Sequence, residues 1–68
     1  MSKHWKVGDR VAWRSHGGRA DGTIVRIAEQ PGEIGGFHYQ ASADDPRYIV
    51  ETDQGKRAAH KADALEPR

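Results

Sequence analysis

The sequence predicts an all-β domain, a small five-stranded barrel with a short helical turn near its C-terminus. Short runs rich in β-branched and aromatic residues recur between clusters of Gly, Asp and Pro along the 68 residues. No stretch keeps apolar residues at the i, i+3, i+4 and i+7 spacing that a helix of about ten residues needs. A closed barrel also suits a short chain, because closure removes exposed strand edges.

Each element follows from alternation of side chains and from the residues that bound it. Val11 and Trp13 share one face of the first strand, because alternate side chains of a strand point to the same side. Ile24 and Ile27 are three positions apart, so only a β-bulge or a strong bend can place both on one face. The strands are predicted at 10–13, 22–27, 37–41, 48–52 and 56–60, with the helical turn in 61–65.

The connections carry residues that favour turns. Gly17 and Gly18 can adopt the positive φ angles of a tight hairpin. Residues 29–36 combine a Pro-Gly and a Gly-Gly pair and form the longest predicted flexible loop. The segment 42–46 is predicted to be a turn, because its last residue, Pro46, cannot continue a central ladder. The segment 53–55 ends in a glycine, which fits a hairpin turn.

A chain of this length has room for one domain, 1–68, in which 1–5 and 67–68 are predicted to be flexible. Its core must be small. The predicted core residues are Val11, Trp13, Ile24, Ile27, Tyr39, Val50, Ala58 and Leu65.

Composition excludes several classes of function. Lysine and arginine total 11 against 10 for aspartate and glutamate, so the chain lacks the basic excess of a dedicated polyanion binder. There is no cysteine, which excludes disulfides and thiolate zinc sites. No segment approaches the length of a membrane span, and the N-terminus carries no secretory apolar region. We therefore expect a cytoplasmic protein that does not bind membranes.

Catalytic and cofactor motifs are also missing. The glycine-rich segment 8–27 has no phosphate-loop Lys-Ser pair and leads into no helix, so it favours turns over phosphate binding. The 4 histidines lack the short spacing of paired metal ligands. His60 ends a strand before a turn, where we expect a ring nitrogen to bond a backbone carbonyl or Asp63. The chain is predicted to be no enzyme and to hold no cofactor or metal.

The segments GDRVAW, GTIVRI, ASADDPRY and AAHKADAL, in this order, are similar to those of the hypervirulence-associated Tudor-like domain family of small, mostly bacterial proteins. The similarity covers nearly the whole chain, and its last two segments are the more particular ones. It implies a strongly bent, five-stranded SH3-like barrel and no known reaction. Some Tudor-like domains bind methylated lysine or arginine in an aromatic cage.

The predicted function is recognition of a macromolecule, with a protein segment docking on an aromatic-lined face of the barrel. Aromatic rings and one carboxylate would form this face: Trp13, Phe37, Tyr39, Tyr48 and Asp45. Alternation places Phe37 and Tyr39 on one side of their strand, which suits a core equally well. The protein itself is expected to be a monomer or a weak homo-oligomer.

The alternative function is weak, salt-sensitive binding of nucleic acid. Positive side chains in and around the first hairpin would carry it: Lys6, Arg10, Arg14 and Arg26. Asp9, Asp21 and Glu29 lie among them, and such a mixed surface is also consistent with solubility alone.

Overall fold

Seven strands and one 3₁₀ turn follow one another in the computed structural model, which describes residues 5–15 and 17–68. The strands are β1 Arg10–Ser15, β2 Gly18–Ala28, β3 Gly32–Ile34, β4 Phe37–Tyr39, β5 Arg47–Thr52, β6 Arg57–His60 and β7 Glu66–Pro67. The 3₁₀ turn, Ala62–Ala64, lies between β6 and β7.

Five strands form one antiparallel sheet in the order β6-β5-β2-β1-β7, and β3 pairs with β4 as a separate hairpin. The 11-residue β2 is the central strand, since β1 pairs with its first part and β5 with the rest. After β6 the chain passes through the 3₁₀ turn and returns to the far edge, where β7 pairs with β1. This architecture confirms the predicted all-β fold and its helical turn.

A β-bulge bends β2, as the spacing of its isoleucines predicts. Ile24 lies opposite Val50, whereas Arg26 already lies opposite Ile49, so Val25 is the extra residue. Ile27 consequently returns to the face of Ile24. Its predicted place in the core is nevertheless wrong: Ile27 is 37% exposed and belongs to neither buried cluster.

The core consists of two clusters on opposite faces of β5, because Tyr48 and Val50 point to one side and Ile49 to the other. The larger cluster contains Val11, Trp13, Ile24, Tyr48, Val50 and Leu65. The smaller one contains Ala28, Tyr39 and Ile49, with Val25, Ile34, Ala41 and Ala59 packed against it. The β3–β4 hairpin supplies Ile34 and Tyr39 and so covers the second face of the sheet.

Two details of the strand pattern differ from the prediction. The segment 29–36 contains a strand, β3, where the sequence predicts only a flexible loop. Strand β4 pairs with β3 outside the main sheet, and β7 takes the fifth place there. Residues 67–68 also bond to β1, with the Arg68 N–H donating to the Arg10 carbonyl at 3.2 Å.

The N-terminal segment predicted to be flexible, 1–5, lies outside the described residues except for Trp5. That indole is half-buried against the larger cluster. Its Nε1–H donates to the Ala62 carbonyl at 3.2 Å, which ties the start of the described chain to the 3₁₀ turn.

Candidate functional site

The four aromatic rings predicted to line one exposed face are not brought together on the surface. Trp13, Tyr39 and Tyr48 are only 5%, 8% and 6% exposed, whereas Phe37 is 60% exposed. Trp13 and Tyr48 belong to the larger core cluster and Tyr39 to the smaller one, on the other face of the sheet. In a domain this small, large rings are needed to fill the core, which leaves Phe37 as the exposed member of the predicted set.

Asp45 takes part in local turn structure. Its backbone N–H donates to Ser42 Oγ at 3.1 Å, and its carboxylate pairs with Arg47 Nη1 at 3.0 Å. The side chain of Arg47 is largely buried, so the pair anchors the turn to the start of β5. The carboxylate that the sequence suggested for an aromatic site therefore has a structural partner already.

The basic residues of the nucleic-acid alternative also lie apart. Arg10 donates to Thr23 Oγ1 at 2.9 Å and pairs with Asp53 at 3.3 Å. Lys6 lies in the turn before β1, where its backbone N–H donates to the Asp9 carboxylate at 2.9 Å. Arg14 and Arg26 line different hollows.

Arg14 lies between acidic groups, whereas Arg26 lies beside the β3–β4 hairpin. One shallow hollow beside Arg14 is lined by Trp13, Asp63, Ala64 and Glu66, so negative charge offsets the guanidinium. Arg26 lines a separate hollow of about 310 Å³ with Val25, Glu33, Ile34, Tyr39, Ile49 and Arg57. Neither Arg14 nor Arg26 forms an ion pair with any described residue. The two therefore do not make a continuous basic face.

A groove between the β3–β4 turn and β6 combines apolar surface with Phe37, and we call it the Phe37 groove. It has a volume of about 290 Å³, and its lining residues are Ile34, Gly35, Phe37, Arg57, Ala58, Ala59 and His60. Gly35 and Gly36 have φ angles of 55° and 81°, which allow a two-residue turn between the paired Ile34 and Phe37. This turn places Phe37 on one side of the groove, and β6 lines the other.

Sequence reasoning missed most of this groove, including Ile34, Ala59 and the role of β6. A usable signal was present, since a Gly-Gly pair flanked by Ile34 and Phe37 is a hairpin pattern in its own right. The groove also adjoins the Arg26 hollow, because Ile34 and Arg57 line both. Arg57 is not free to bind a partner, since its Nε donates to Glu51 Oε2 at 2.9 Å.

His60 forms the inner end of the Phe37 groove, and its ring contacts Trp13. The two ring centroids are 5.2 Å apart, with an interplanar angle of 41°. The Nε2 atom is buried and has no hydrogen-bond partner among the described residues, so the expected bond to Asp63 or a backbone carbonyl is not formed. Burial lowers the pKa of His60 below its ordinary value, because desolvation disfavours the charged ring.

The described residues include no cluster of potential metal ligands. Residues 5–15 and 17–68 contain no group of three or more His, Asp or Glu side chains placed to hold a metal ion. His4 and His16, two of the histidines considered above, lie outside the described residues. No helix in the described part of the chain is long and apolar enough to cross a membrane.

Comparison with known proteins agrees with this architecture. The profile of the family described as hypervirulence associated proteins TUDOR domain matches residues 8–65, which include β1 to β6 and the 3₁₀ turn. No curated protein and no solved structure gave a significant match. Because the matched region spans most of the 68 residues, this chain belongs to the hypervirulence-associated TUDOR domain family.

Proposed function

We propose that this protein is a non-catalytic recognition module that binds a segment of another protein in the Phe37 groove. Tudor-like domains are generally binding modules, which supports recognition as the broad role. The observation that carries the finer proposal is the exposure of Phe37, 60%, beside an apolar groove. A large exposed ring next to apolar surface is more informative than an exposed aliphatic residue alone.

The lining of the groove suits an extended polypeptide. Ala58 and Ala59 carry only methyl groups, so the β6 side of the groove leaves space for an apolar side chain. Ile34 adds a second apolar wall. Aromatic side chains supply large contact area with little loss of conformational entropy, which makes Phe37 suitable as an anchor.

Protein is the better candidate than nucleic acid because of where the charges lie. The four basic residues of the alternative are divided between separate surfaces, and Arg10 is already paired with Asp53. Phosphate-driven binding needs several cations facing one backbone. Binding through one aromatic groove needs no such array.

The proposal is tested by selecting binders from a library of random extended peptides and measuring their affinity for the whole chain. We expect enriched peptides to share an apolar residue and to shift the amide resonances of β6 and of Ile34 to Phe37. The Phe37→Ser variant should weaken binding by roughly tenfold or more, because an aromatic anchor contributes more than 1 kcal/mol. Isothermal titration calorimetry measures the loss.

Val7→Ser is the matched control, because Val7 is 61% exposed and does not line the groove. It should leave peptide binding unchanged, and both variants should keep the stability of the parent, since neither side chain is buried. Failure to enrich any peptide would refute the proposal. The proposal would also be refuted if amide resonances shifted only at Arg10, Arg14 and Arg26, and only when single-stranded RNA was added.

A further inference from the structure

Strand β6 has an open edge beside the Phe37 groove. It is the terminal strand of the five-stranded sheet and pairs, among the described strands, with β5 alone. An open strand edge presents unpaired N–H and C=O groups to any extended chain that approaches it. The groove therefore has a hydrogen-bonding wall as well as an apolar one.

The pairing pattern identifies the open backbone groups. The Thr52 N–H donates to the Lys56 carbonyl at 2.8 Å, which marks these two residues as a hydrogen-bonded pair. Bonded pairs alternate along an antiparallel ladder, so Ala58 and His60 also bond to β5. The N–H and C=O groups of Arg57 and Ala59 consequently point away from β5, towards the open edge.

The charges around this edge are positive. Lys56 and Lys61 flank β6, are exposed, and form no ion pair with any residue in the described ranges. Arg26 lies unpaired in the adjoining hollow. Among the nearby carboxylates, Glu51 pairs with Arg57 at 2.9 Å, Glu33 lies 3.1 Å from His38 Nε2, and Asp63 is exposed two residues after Lys61. An approaching strand with negative side chains would complement this rim.

A second copy of this chain would fit the same edge poorly. Outward-facing residues must pair with one another at an antiparallel edge, so Lys61 of a second copy would lie opposite Arg57 when the two Ala59 residues pair, and the exposed Lys56 and Lys61 of both copies would add like charge to the interface. Lysines at sheet edges commonly prevent this kind of self-association. The same two charges attract a strand of opposite sign.

We propose that β6 is a docking edge for an acidic, extended segment of another protein, which adds to the sheet as a sixth strand. The inference rests on the proposed function and specifies its partner. Backbone groups of the segment bond to Arg57 and Ala59, and an apolar side chain enters the Phe37 groove. Carboxylates at the two ends of the segment lie near Lys56 and Lys61, which flank β6. Main-chain bonds give such additions their affinity and alternate side chains give specificity.

The test uses capped synthetic peptides and the whole, isotope-labelled chain. The main probe is a short peptide with valines at its centre and glutamates at both ends, its counterpart has lysine in place of each glutamate, and a third peptide is the glutamate probe with alternate backbone nitrogens methylated. We expect the glutamate probe to slow hydrogen exchange at the Arg57 and Ala59 amides and to bind about tenfold more tightly than the lysine peptide at low salt. The methylated peptide should not bind through the edge.

Charge-reversal variants test the electrostatic part. The double variant Lys56→Glu with Lys61→Glu should weaken binding of the glutamate probe by roughly tenfold and favour the lysine peptide. Lys6→Glu with Arg14→Glu makes the same change in net charge away from β6 and serves as the control. All four side chains are exposed, so the variants should fold.

The outcomes separate this inference from the proposed function. If library peptides bind in the Phe37 groove while the Arg57 and Ala59 amides exchange as in the free protein, the function stands and strand addition is wrong. Equal binding of the two charged peptides refutes the acidic preference. A dimer paired through β6, seen by sedimentation and by protection of the same amides without peptide, refutes the heterologous partner. If no peptide of any kind binds, both proposals fail.

Discussion

His60 is the residue whose state should respond most to mild acid. Burial lowers its pKa below the usual 6.5, so between the two values the unfolded chain binds a proton that the folded chain does not. The neutral His60 ring therefore contributes fully to stability above about pH 6.5, and this contribution is lost as the pH falls through the folded pKa. The free energy of unfolding, measured with urea at several pH values, should fall as the pH is lowered across this range.

The His60→Gln variant isolates this contribution. It should flatten the dependence of stability on pH just below neutrality, whatever it costs in contact with Trp13. His38→Gln is the control for removing an imidazole, because His38 is largely exposed and belongs to neither core cluster. An unaltered slope in His60→Gln would contradict the assignment of that slope to this ring.

Gly22 is required by the close approach of two strands. It lies in β2 opposite Val11 on one side and Thr52 on the other, and a Cβ built there overlaps the Glu51 carbonyl. Because backbone atoms cannot yield as a flexible side chain can, Gly22→Ala should destabilise the fold by about 2 kcal/mol or more. Chemical unfolding gives the value, and Gly17→Ala, whose Cβ meets no atom, should change it little.

The β3–β4 hairpin is the element whose stability can be separated from the rest. Among the described strands it pairs only within itself, and it covers the smaller core cluster, whereas the five-stranded sheet has the larger cluster on its other face. Elements with few buried contacts open locally at lower free energy than the whole molecule. The hairpin also bears Phe37, so its opening would remove one wall of the groove.

Gly36→Val should loosen this hairpin and little else. Gly36 has a φ of 81°, which costs a β-branched residue on the order of 1–3 kcal/mol. Hydrogen exchange at amides within 32–39 should accelerate while amides of β1 and β2 stay protected, and peptide binding in the groove should weaken. Equal acceleration throughout the sheet would instead show that hairpin and sheet unfold together.

Side-chain alternation and residue spacing predict most of the strands but few residues of the Phe37 groove. Alternation predicts the strand that carries Val11 and Trp13, and the spacing of Ile24 and Ile27 predicts the bulge at Val25. Phe37 and Tyr39 share one side of β4, yet Tyr39 is buried in the smaller cluster whereas Phe37, next to the hairpin turn, is 60% exposed. This difference is set by tertiary packing between distant segments, so a single strand pattern does not contain it.

In the molecule as a whole, the C-terminal residues return to pair with the first strand and so help to enclose the small core. β7 pairs with β1 across nearly the full length of the sequence, and Leu65, just before it, is fully buried. Two exposed ion pairs accompany this closure, Arg19 with Glu66 at 2.6 Å and Arg68 with Asp21 at 2.8 Å. Exposed pairs contribute little, so the backbone pairing should dominate.

Truncation after Leu65 tests this. It removes β7 and both ion pairs but keeps the buried leucine, and the loss of two or three backbone hydrogen bonds should cost about 2 kcal/mol. For a domain of this size that loss corresponds to a fall in Tm of roughly 10 °C. Glu66→Gln removes only the Arg19 pair and should lower stability by no more than about 0.5 kcal/mol. If Glu66→Gln alone lowered stability as much as the truncation, the Arg19–Glu66 ion pair rather than the β1–β7 backbone pairing would hold the C-terminal residues to the sheet.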